Sequence, residues 1–306
     1  MKLYLAPIKG ITDTILRNAF AKHWDGFDEA VTPFFDLPSA DKFDEKLLAD
    51  IIPENQIVSI IPQIITKSPS QAKMLTKKII EMGYKKVNLN FSCPFEVVTK
   101  KNRGSILMKN PPLIRQIVEA VNEFPIELSI KIRLGYDDFS QAQILLDTLK
   151  DNEISKVFLH ARLATQFYGG EVNLKEFRQI ESNFTIVYNG DIKSFKDYNN
   201  IVSSIPEQNE FMIGRGAISN PEIFSIIKGN KYSDEEFSQI FQVMLLELVE
   251  NYQRKIGEFA LNQMKALWKY FQYRIIDEDF NNKIFQTKKL EDLITLLQNL
   301  NEVRIK

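Results

Sequence analysis

The pattern in Glu127-Leu128-Ser129-Ile130-Lys131-Ile132-Arg133 is that of an apolar strand with two cations on one face. Lys131 and Arg133 are two residues apart, and side chains at that spacing lie on the same side of a strand. Helices cover the outer faces of barrel strands, which are therefore apolar, so we predict that both cations point into a barrel. Buried cations need an anionic or carbonyl-rich ligand. The alternative is that both point outward, toward helix carboxylates, while the apolar residues between them fill the interior.

Short β-branched runs of this kind alternate with helical patterns up to about residue 230. Several runs are apolar on both faces, which is typical of parallel strands covered by helices. Eight such strands with intervening helices predict a (β/α)8 TIM barrel, an α/β fold. A doubly wound open sheet is the alternative, but the first turn, Ala6-Pro7-Ile8-Lys9-Gly10, lacks the glycine pattern of that fold. The candidate strands are Leu3–Ala6, Glu29–Thr32, Ile57–Gln63, Lys86–Asn90, Glu127–Arg133, Lys156–His160, Thr185–Asn189 and Phe211–Gly214.

The pattern changes after Tyr232, where strand-like runs give way to helical periodicity. We therefore predict two domains. A (β/α)8 catalytic domain at residues 1–230 is followed by a small C-terminal helical domain at residues 231–306. The connection from Pro33 to Gln56 is long, so extra structure is expected there.

Composition excludes several classes of protein. The chain has 306 residues with 39 Lys+Arg and 40 Asp+Glu, and the net charge of −1 argues against nucleic-acid binding by bulk basicity, although it allows a local basic patch. Cys93 is the single cysteine, so an intrachain disulfide is impossible and a cysteine-based zinc site would be incomplete. The apolar stretch Ile57–Ile65 is too short to span a bilayer. We expect a cytoplasmic protein with no membrane segment, no metal and no obligate protein partner.

Polar residues recur at the carboxyl ends of the predicted strands, where barrel enzymes place their chemistry. Asn189-Gly190-Asp191 and Gly214-Arg215-Gly216 follow the last two strands. Many barrels bind phosphate at this point through glycine-exposed backbone N–H groups, and Arg215 would add a fork of donors. We predict a phosphate site here, with two tight turns and a surface arginine as the alternative. The other strand ends carry Ala6-Pro7, Gln63, Asn88-Leu89-Asn90, Lys131 with Arg133, and His160, a candidate ligand contact, with Arg162.

Cys93 lies in the loop after the fourth predicted strand and is followed by a basic segment. Residues 97–118 contain no acidic residue. The Arg103-Gly104-Ser105 turn predicts a flexible lid, so a thiol proton donor would lie under a cationic loop. The alternative is a solvated loop above an inert thiol, since a lone buried cysteine is normally a small hydrophobe. The basic residues of the segment are Lys100, Lys101, Arg103, Lys109 and Arg115.

Several stretches of the chain match the pattern of one family. They are Leu5-Ala6-Pro7, Gly10-x-Thr12-Asp13, Gln63, Asn88-Leu89-Asn90-x-x-Cys93-Pro94, Leu107-x-Lys109-x-Pro111, Lys131-Ile132-Arg133-Leu134-Gly135, His160-x-Arg162, Asn189-Gly190-Asp191 and Met212-Ile213-Gly214-Arg215-Gly216-Ala217. In this order they resemble the tRNA-dihydrouridine synthase family, whose members are FMN-dependent (β/α)8 barrels. The resemblance covers about residues 3–230. The helical tail also fits, because the family carries a C-terminal helical domain that is expected to contact RNA.

The resemblance implies roles for individual residues. Cys93 matches the proton donor of the family, which makes it the expected catalytic residue. The expected FMN contacts are Ala6 and Pro7 behind the flavin, Gln63 and Lys131 bonded to its ring, and His160, Asn189, Asp191, Gly214 and Arg215 around its ribityl phosphate. The expected substrate contacts are Asn90 and Arg133, which would face flavin and uracil, and Arg162, Lys100, Lys101 and Arg103.

The reaction that the resemblance implies is reduction of the C5–C6 bond of specific uridines in RNA, with tRNA as the expected substrate. Reduced FMN would give a hydride to C6, and Cys93 would give a proton to C5 as general acid. NADPH would then reduce the FMN again, and Lys131 near a ring carbonyl would stabilise the electron-rich reduced flavin. The uracil must leave its stack to reach the flavin.

The chain departs from the family pattern in three places, and other functions stay open. Ser92 stands where the family usually has glycine, Arg103-Gly104-Ser105 replaces a Gly-Gly-Ala-like stretch, and Leu163 replaces a threonine. An FMN enzyme that acts on a free pyrimidine, like a dihydroorotate dehydrogenase, is the main alternative, because Asn90–Pro94 also matches that family. A Schiff-base lyase that uses Lys131 and a non-catalytic RNA-binding barrel are the others.

The helical tail has no gross charge excess. Several of its basic residues repeat at helical spacing and could form a stripe that contacts RNA, and a solvated helix face is the alternative. These residues are Arg254, Lys255, Lys265, Lys269 and Arg274.

Overall fold

The computed structural model describes residues 1–35, 45–300 and 303, and within them a parallel sheet curls into a barrel. Its strands are β1 (Lys2–Leu5), β2 (Glu29–Val31), β3 (Ile60–Ile61), β4 (Gln63–Ile64), β5 (Lys86–Asn90), β6 (Glu127–Gly135), β7 (Lys156–Leu163), β8 (Thr185–Asn189) and β9 (Glu210–Ile213). They are hydrogen-bonded in the order β3-β2-β1-β9-β8-β7-β6-β5-β4, and all the pairings are parallel. The predicted (β/α)8 barrel is confirmed.

The third strand of the barrel is divided at Pro62, which explains why nine short strands form an eight-stranded cylinder. Proline has no N–H to donate to a ladder and is tolerated at edges and irregularities. Before it, β3 pairs with β2, and after it, β4 pairs with β5. The predicted strand Ile57–Gln63 therefore begins later than expected, at Ile60, and continues past the break to Ile64.

Helices surround the barrel and then continue beyond it as a C-terminal helical region. Those around the barrel are α1 (Thr14–His23), α2 (Pro69–Glu81), α3 (Glu96–Thr99), α4 (Pro111–Asn122), α5 (Ser140–Leu149), α6 (Leu174–Arg178), α7 (Phe195–Ser204), α8 (Arg215–Ser219) and α9 (Ile223–Ile227). Those of the C-terminal region are α10 (Asp234–Ile256), α11 (Ala260–Phe271), α12 (Glu278–Gln286) and α13 (Leu290–Gln298). In the described parts of the chain, none of the helices is long and apolar enough to cross a membrane.

The long connection between β2 and β3 holds part of the extra structure that the sequence predicts. Two 3₁₀ helices, Glu45–Ile51 and Pro53–Asn55, lie in it. Residues 36–44 of the same connection lie outside the described residues. The second of the two helices begins at a proline, whose fixed φ suits a first helical position.

The interior of the barrel is apolar along most of its length and polar toward the carboxyl ends of the strands. Ile130 and Ile132 pack outward with the helices, while Lys131 and Arg133 are only 7% and 1% exposed and face inward. Lys131 reaches across to Asn189 of β8, with its Nζ 3.0 Å from the amide oxygen. The prediction that both cations point into the barrel is confirmed. The apolar interior is formed by Tyr4, Ala6, Val31, Ile61, Phe158, Val187 and Met212.

Ion pairs close the amino-terminal end of the barrel. Glu29 lies 2.7 Å from the ammonium group of Lys2 and 2.5 Å from that of Lys86. Across the barrel, Glu210 lies 2.8 Å from the ammonium of Lys156. The charged groups at this end therefore satisfy one another, and the groups able to hold a ligand lie at the opposite end.

Hydrogen bonds join the C-terminal helical region to α1 and to the loop between β1 and α1. The indole N–H of Trp24, after α1, donates to the sulfur of Met244 on α10 at 3.2 Å. On α11, the amide of Gln263 donates to the carbonyl oxygen of Gly10 at 2.8 Å. The first bond fixes α10 to the C-terminal end of α1, and the second fixes α11 to the loop between β1 and α1. The boundary between two domains at residue 230 stays a prediction.

The basic stripe that the sequence suggests in this region is interrupted. The ammonium of Lys265 donates to the carbonyl oxygen of Phe285 at 2.8 Å, inside the helical region. The guanidinium of Arg274 lies 3.2 Å from Glu222 and over the ring of Phe237. Lys265 and Arg274 therefore hold the helices together and connect them to the barrel.

Met244→Ala should lower the free energy of unfolding by about 2–5 kcal/mol, because it leaves a cavity in a buried interface. Met244 is fully buried, whereas Val243 on the same helix is 54% exposed. Val243→Ala should therefore change the free energy of unfolding by less than about 0.5 kcal/mol. Urea denaturation followed by tryptophan fluorescence measures both variants. Equal losses in the two variants would contradict the packing of α10 described above.

Candidate active site

Side chains from neighbouring strands meet inside the carboxyl end of the barrel. The register pairs Asn90 of β5 with Lys131 of β6. It pairs His160 of β7 with Arg133 on one side and with Asn189 on the other. None of these side chains is more than 8% exposed. Residues far apart in the chain thus form one buried polar surface, as their positions at strand ends predict.

A chain of amide groups fixes one wall of this surface. The amide of Gln63 donates to the side-chain oxygen of Asn88 at 2.8 Å, and the amide of Asn90 donates to the oxygen of Gln63 at 2.8 Å. Asn88 in turn donates to the hydroxyl of Ser129 at 2.9 Å. Because these amides hold one another, their orientation is set before a ligand arrives.

Lys131 is held by neutral groups. Its Nζ lies 3.0 Å from the amide oxygen of Asn189 and 3.3 Å from the hydroxyl of Ser92. Burial, with a smaller contribution from Arg133, lowers the pKa of Lys131 to about 7. A carbonyl or an anion placed beside this amine would favour its charged form.

Asn90 also positions the thiol of Cys93. Its side-chain oxygen accepts the backbone N–H groups of Ser92 and Cys93 at 3.0 and 2.9 Å. Burial raises the pKa of the Cys93 thiol, while the N–H of Phe95 and two barrel cations oppose the rise in part. The thiol therefore keeps its proton more firmly than an exposed cysteine, as a proton donor must.

A close backbone contact ties the next loop to Cys93. Gly104 has φ +66°, and a Cβ at this position would lie 2.7 Å from the carbonyl oxygen of Cys93. The N–H of Ser105 donates to the same oxygen at 3.0 Å. The Arg103-Gly104-Ser105 turn is thus packed against the thiol loop, where the sequence predicts a flexible lid, and glycine is required for the approach.

The predicted basic residues of this loop lie on the outer rim. Lys100 is exposed and lies 2.6 Å from the carboxylate of Glu96, one turn earlier. Lys101 is exposed and Arg103 is half-buried. The cations that lower the pKa of Cys93 are Arg133 and Lys131 of the barrel, and a cationic cover over the thiol stays a prediction.

Arg133 links the loops that follow two strands. Its Nε donates to the carbonyl oxygen of Ser92 at 2.9 Å. Its Nη1 donates to the carbonyl oxygens of Leu163 and Phe167 at 3.0 and 2.8 Å. Burial is the main reason that the pKa of Arg133 falls to about 10, and the guanidinium still carries its charge at neutral pH. This cation therefore holds the thiol loop and the loop after β7 in one arrangement.

Arg162 turns toward the end of β8. It is 1% exposed and donates to the carbonyl oxygen of Gly170 at 2.6 Å and to the carboxylate of Asp191. The other oxygen of Asp191 lies 3.6 Å from the guanidinium of Arg215. The structure thus groups Arg162, a predicted substrate contact, with two residues predicted for the cofactor phosphate.

His160 is an uncharged member of this group. Burial, followed by the nearby cations Arg133, Lys131, Arg162 and Arg215, lowers its pKa well below the ordinary value. Its Nε2 lies 3.3 Å from Nη1 of Arg162. Because a guanidinium can only donate, Nε2 accepts this bond and the proton of the neutral ring is on Nδ1.

The remaining predicted cofactor residues lie together where β1 and β9 end. A Cβ at Gly214 would lie 3.3 Å from the Cβ of Ala6, directly before Pro7. A Cβ at Gly216 would lie 1.9 Å from the carbonyl oxygen of Ile192. The turns after β8 and β9 therefore touch through their backbones. Because glycine has no Cβ, the backbone N–H groups of these turns can also approach a ligand closely.

Tyr168 is a member of the site that the sequence did not indicate. Its ring centroid lies 4.4 Å from the guanidinium of Arg215, 5.6 Å from that of Arg133 and 6.3 Å from the ring of His160. The pair of aromatic residues before Gly169 was the signal available. Without the loop geometry, nothing connects this pair to the strand ends.

In the part of the chain that the structure describes, metal-ligating side chains are not clustered. Over residues 1–35, 45–300 and 303, no group of three or more His, Cys, Asp and Glu side chains could hold a metal ion. Amides, cations and a thiol predominate at the mouth of the barrel, beside the carboxylate of Asp191 and the neutral ring of His160, and they suit an organic ligand with carbonyl and anionic groups.

Solved structures with the same architecture support the barrel. A variant of NCR from Zymomonas mobilis has a TM-score of 0.52 and 12% identity, over 76% of this chain and 88% of that chain. Histamine dehydrogenase from Rhizobium sp. 4-9 has a TM-score of 0.57 and 10% identity, over 87% of this chain and 49% of that one. At these identities the likeness shows the fold alone.

Sequence comparisons identify the family. A tRNA-dihydrouridine(16) synthase from Neisseria meningitidis serogroup B is 30% identical over 78% of this chain and 76% of its own length. The tRNA-dihydrouridine(16) synthase of Escherichia coli K12 is 25% identical over 94% and 93%, and tRNA-dihydrouridine synthase B of Shewanella oneidensis is 29% identical over 82% and 80%. The family model described as Dihydrouridine synthase (Dus) matches residues 4–304. The chain belongs to the dihydrouridine synthase family.

Proposed function

We propose that this protein binds FMN and uses it, with NADPH as reductant, to reduce the C5–C6 bond of a uridine in tRNA in the cytoplasm. The observation that carries the proposal is the position of one protonated thiol above a buried polar surface. Cys93 is fixed by Asn90, which belongs to the same amide chain as Gln63. Lys131 completes the surface from the next strand. A flat ring on this surface would place a uracil between itself and the thiol.

The residues at the carboxyl end fit FMN in charge and in hydrogen-bonding groups. Four buried or half-buried cations face a single carboxylate, so the site has an excess of positive charge that a phosphate would balance. The amide chain offers donors and acceptors to the polar edge of a flavin ring. The cations are Lys131, Arg133, Arg162 and Arg215, and the carboxylate is that of Asp191. Ala6, Pro7, His160, Asn189 and Gly214 complete the proposed FMN contacts.

We infer the role of each group in the proposed reaction from its position. FMN, when bound and reduced by NADPH, supplies the hydride that C6 of the uracil takes up. Cys93 gives its proton to C5, and the thiolate that remains regains a proton from solvent. Asn90 keeps the thiol loop in place through the backbone N–H of Cys93. Lys131 keeps an ammonium close to the amide of Asn189, beside the ring that it would polarise.

The names of relatives extend the proposal to a position in tRNA. Several relatives are named tRNA-dihydrouridine(16) synthases, and they include the relatives from Neisseria meningitidis and Escherichia coli cited above. We assign uridine 16 as the target on this basis. The helical region, residues 231–306, is the proposed RNA-contacting domain, because α11 is bonded to the loop at Gly10 beside the same end of the barrel. Arg162 and Arg133 would act on the substrate through the loops that they hold.

Mapping dihydrouridine in tRNA from cells that lack this gene tests the target. Position 16 should lose its dihydrouridine, as the names of the relatives lead us to expect. A plasmid copy of the gene should restore it. The purified protein should also oxidise NADPH when an unmodified tRNA transcript is added, and orotate should not replace the transcript. Loss at another position, or turnover of orotate instead of tRNA, would contradict the assignment.

Cys93→Ala should separate proton donation from cofactor binding. The variant should retain FMN, since the thiol contributes no donor to the phosphate or the amide chain. Reduction of uridine should fall by about 10²- to 10⁴-fold, the usual contribution of a general acid. Absorption spectra measure the flavin, and dihydrouridine formation measures the reaction. A colourless variant would show instead that the thiol has a structural role.

Lys131 should make cofactor affinity depend on pH. Its pKa of about 7 means that the amine is charged below neutral pH and uncharged above it. A charged donor forms the stronger hydrogen bond. The natural protein should therefore bind FMN more tightly than Lys131→Met at about pH 6. The ratio of the two affinities should fall by about fivefold to tenfold by about pH 8.5. Quenching of FMN fluorescence measures both affinities. Taking the ratio of the two removes the titration of the phosphate itself, and a constant ratio would contradict the role of the ammonium.

A further inference from the structure

Two phenylalanine rings stand exposed at the mouth of the barrel beside the thiol. Phe95 is 48% exposed and Phe167 is 41% exposed. Their ring centroids are 6.2 Å apart, and the ring of Phe95 is 6.1 Å from that of Tyr168. Exposed apolar groups that lie together and are surrounded by polar residues mark interaction sites. Neither ring contributes to the apolar core, so the pair is available to a ligand.

The backbone around Phe95 holds its ring next to the reacting group. Its N–H donates to the sulfur of Cys93. Its carbonyl oxygen accepts the N–H groups of Val98 and Thr99, at 2.9 and 3.0 Å, as α3 begins. The ring therefore projects outward from a fixed point two residues after Cys93.

Phe167 is held in a strained conformation on the other side. Its φ is +52°, a region that side chains larger than glycine rarely adopt. Its carbonyl oxygen accepts Nη1 of Arg133 at 2.8 Å, so a buried cation keeps the backbone in this state. Strain of this kind persists where the surrounding structure enforces it, and it is concentrated at functional sites. Here it directs an aromatic ring toward solvent.

We propose that Phe95 and Phe167 form an aromatic clamp that stacks on the nucleobase adjoining the target uridine. The inference rests on the proposed function. A uridine that enters the barrel leaves its own stack, and its neighbour in the strand loses a stacking partner at the same moment. Aromatic side chains are the usual replacement, because every base has a face that stacks on them. The clamp lies at the point where the strand would leave the mouth.

Charge on the same segment favours a nucleic-acid strand as the occupant. Lys101 is exposed on the rim, a few residues beyond Phe95. Lys100, Lys109 and Arg115 of the same segment pair with Glu96, Asp137 and Glu119, so Lys101 is the cation that carries this argument. Phosphates on either side of a stacked base would meet this surface, as in single-strand sites that combine aromatic rings with a basic groove.

The test compares variants of Phe95 in the holoenzyme. Phe95→Ala should weaken binding of an unmodified tRNA transcript by about 5- to 100-fold, the usual effect of losing one stacked base. Phe95→Trp should bind at least as well as the natural protein, whereas Phe95→Leu, which is apolar but not aromatic, should resemble Phe95→Ala. Reduction of the flavin by NADPH without RNA should be the same in all of them. Ile144→Ala is the control, because Ile144 is 51% exposed on α5.

A fluorescent base locates the contact directly. Transcripts with 2-aminopurine on one or the other side of the target uridine should stay quenched when bound to the natural protein. On Phe95→Ala, the fluorescence at one of the two positions should rise.

Phe167→Gly should lose tRNA affinity while its urea midpoint rises, since glycine adopts this φ without strain.

The outcomes separate the clamp from the proposed function. If the natural protein reduces tRNA but Phe95→Ala and Phe95→Leu bind it as well as the natural protein does, the clamp is wrong and the function stands. A loss confined to NADPH reduction would also overturn the clamp, because it would assign the rings to the nicotinamide. If the natural protein neither binds nor reduces tRNA, both proposals fail.

Discussion

The burial of several cations around one carboxylate is the constraint on which the site depends. Lys131, Arg133, Arg162 and Arg215 converge at the carboxyl end of the barrel, and Asp191 is the carboxylate that two of them share. Backbone carbonyl oxygens satisfy the N–H groups of Arg133 and Arg162. Neutral carbonyls cannot balance the charge, and burying charge without a counter-charge is costly. The arrangement therefore favours an anionic ligand and disfavours a neutral one.

The same cations connect the parts of the site to one another. Arg133 bonds the carbonyl before Cys93 and two carbonyls of the loop after β7. Arg162 bonds that loop to Asp191 at the end of β8. Movement of one loop would break bonds in another, so the thiol, the aromatic rim and the phosphate end hold their positions together. Preorganisation of this kind supports catalysis because the groups need not be gathered during the reaction.

The positions of side chains at the strand ends were predictable from the sequence because they depend on local periodicity and on the parallel order of the strands. A two-residue period places Lys131 and Arg133 on one face, and a parallel barrel brings successive carboxyl ends to one rim. The confirmed fold follows from these two rules. The break at Pro62 was also visible as a proline, yet its effect on pairing depends on neighbours that only the folded barrel supplies.

Partners across loops were not predictable in the same way. The contact of Gly104 with Cys93 turned a predicted lid into a packed turn. The bond from Arg162 to Asp191 depends on where the loop containing Gly170 lies, and Tyr168 enters the site through the same loop. Loop conformations carry no periodic signal, so the positions of these side chains could not be predicted from residue type alone.

Because the third strand is divided at Pro62, the barrel has fewer ladder pairs at this strand than between β6 and β7. Only two residues on each side of Pro62 form ladder pairs with the neighbouring strands, whereas β6 and β7 are paired over most of their lengths. Local opening of a native protein begins where backbone bonds are fewest. Gln63 lies on this seam and is bonded to Asn88 and Asn90. A ligand that bonds Gln63 would therefore stabilise the divided strand against local opening. Backbone amide protons of this strand would then exchange with solvent more slowly when the ligand is bound.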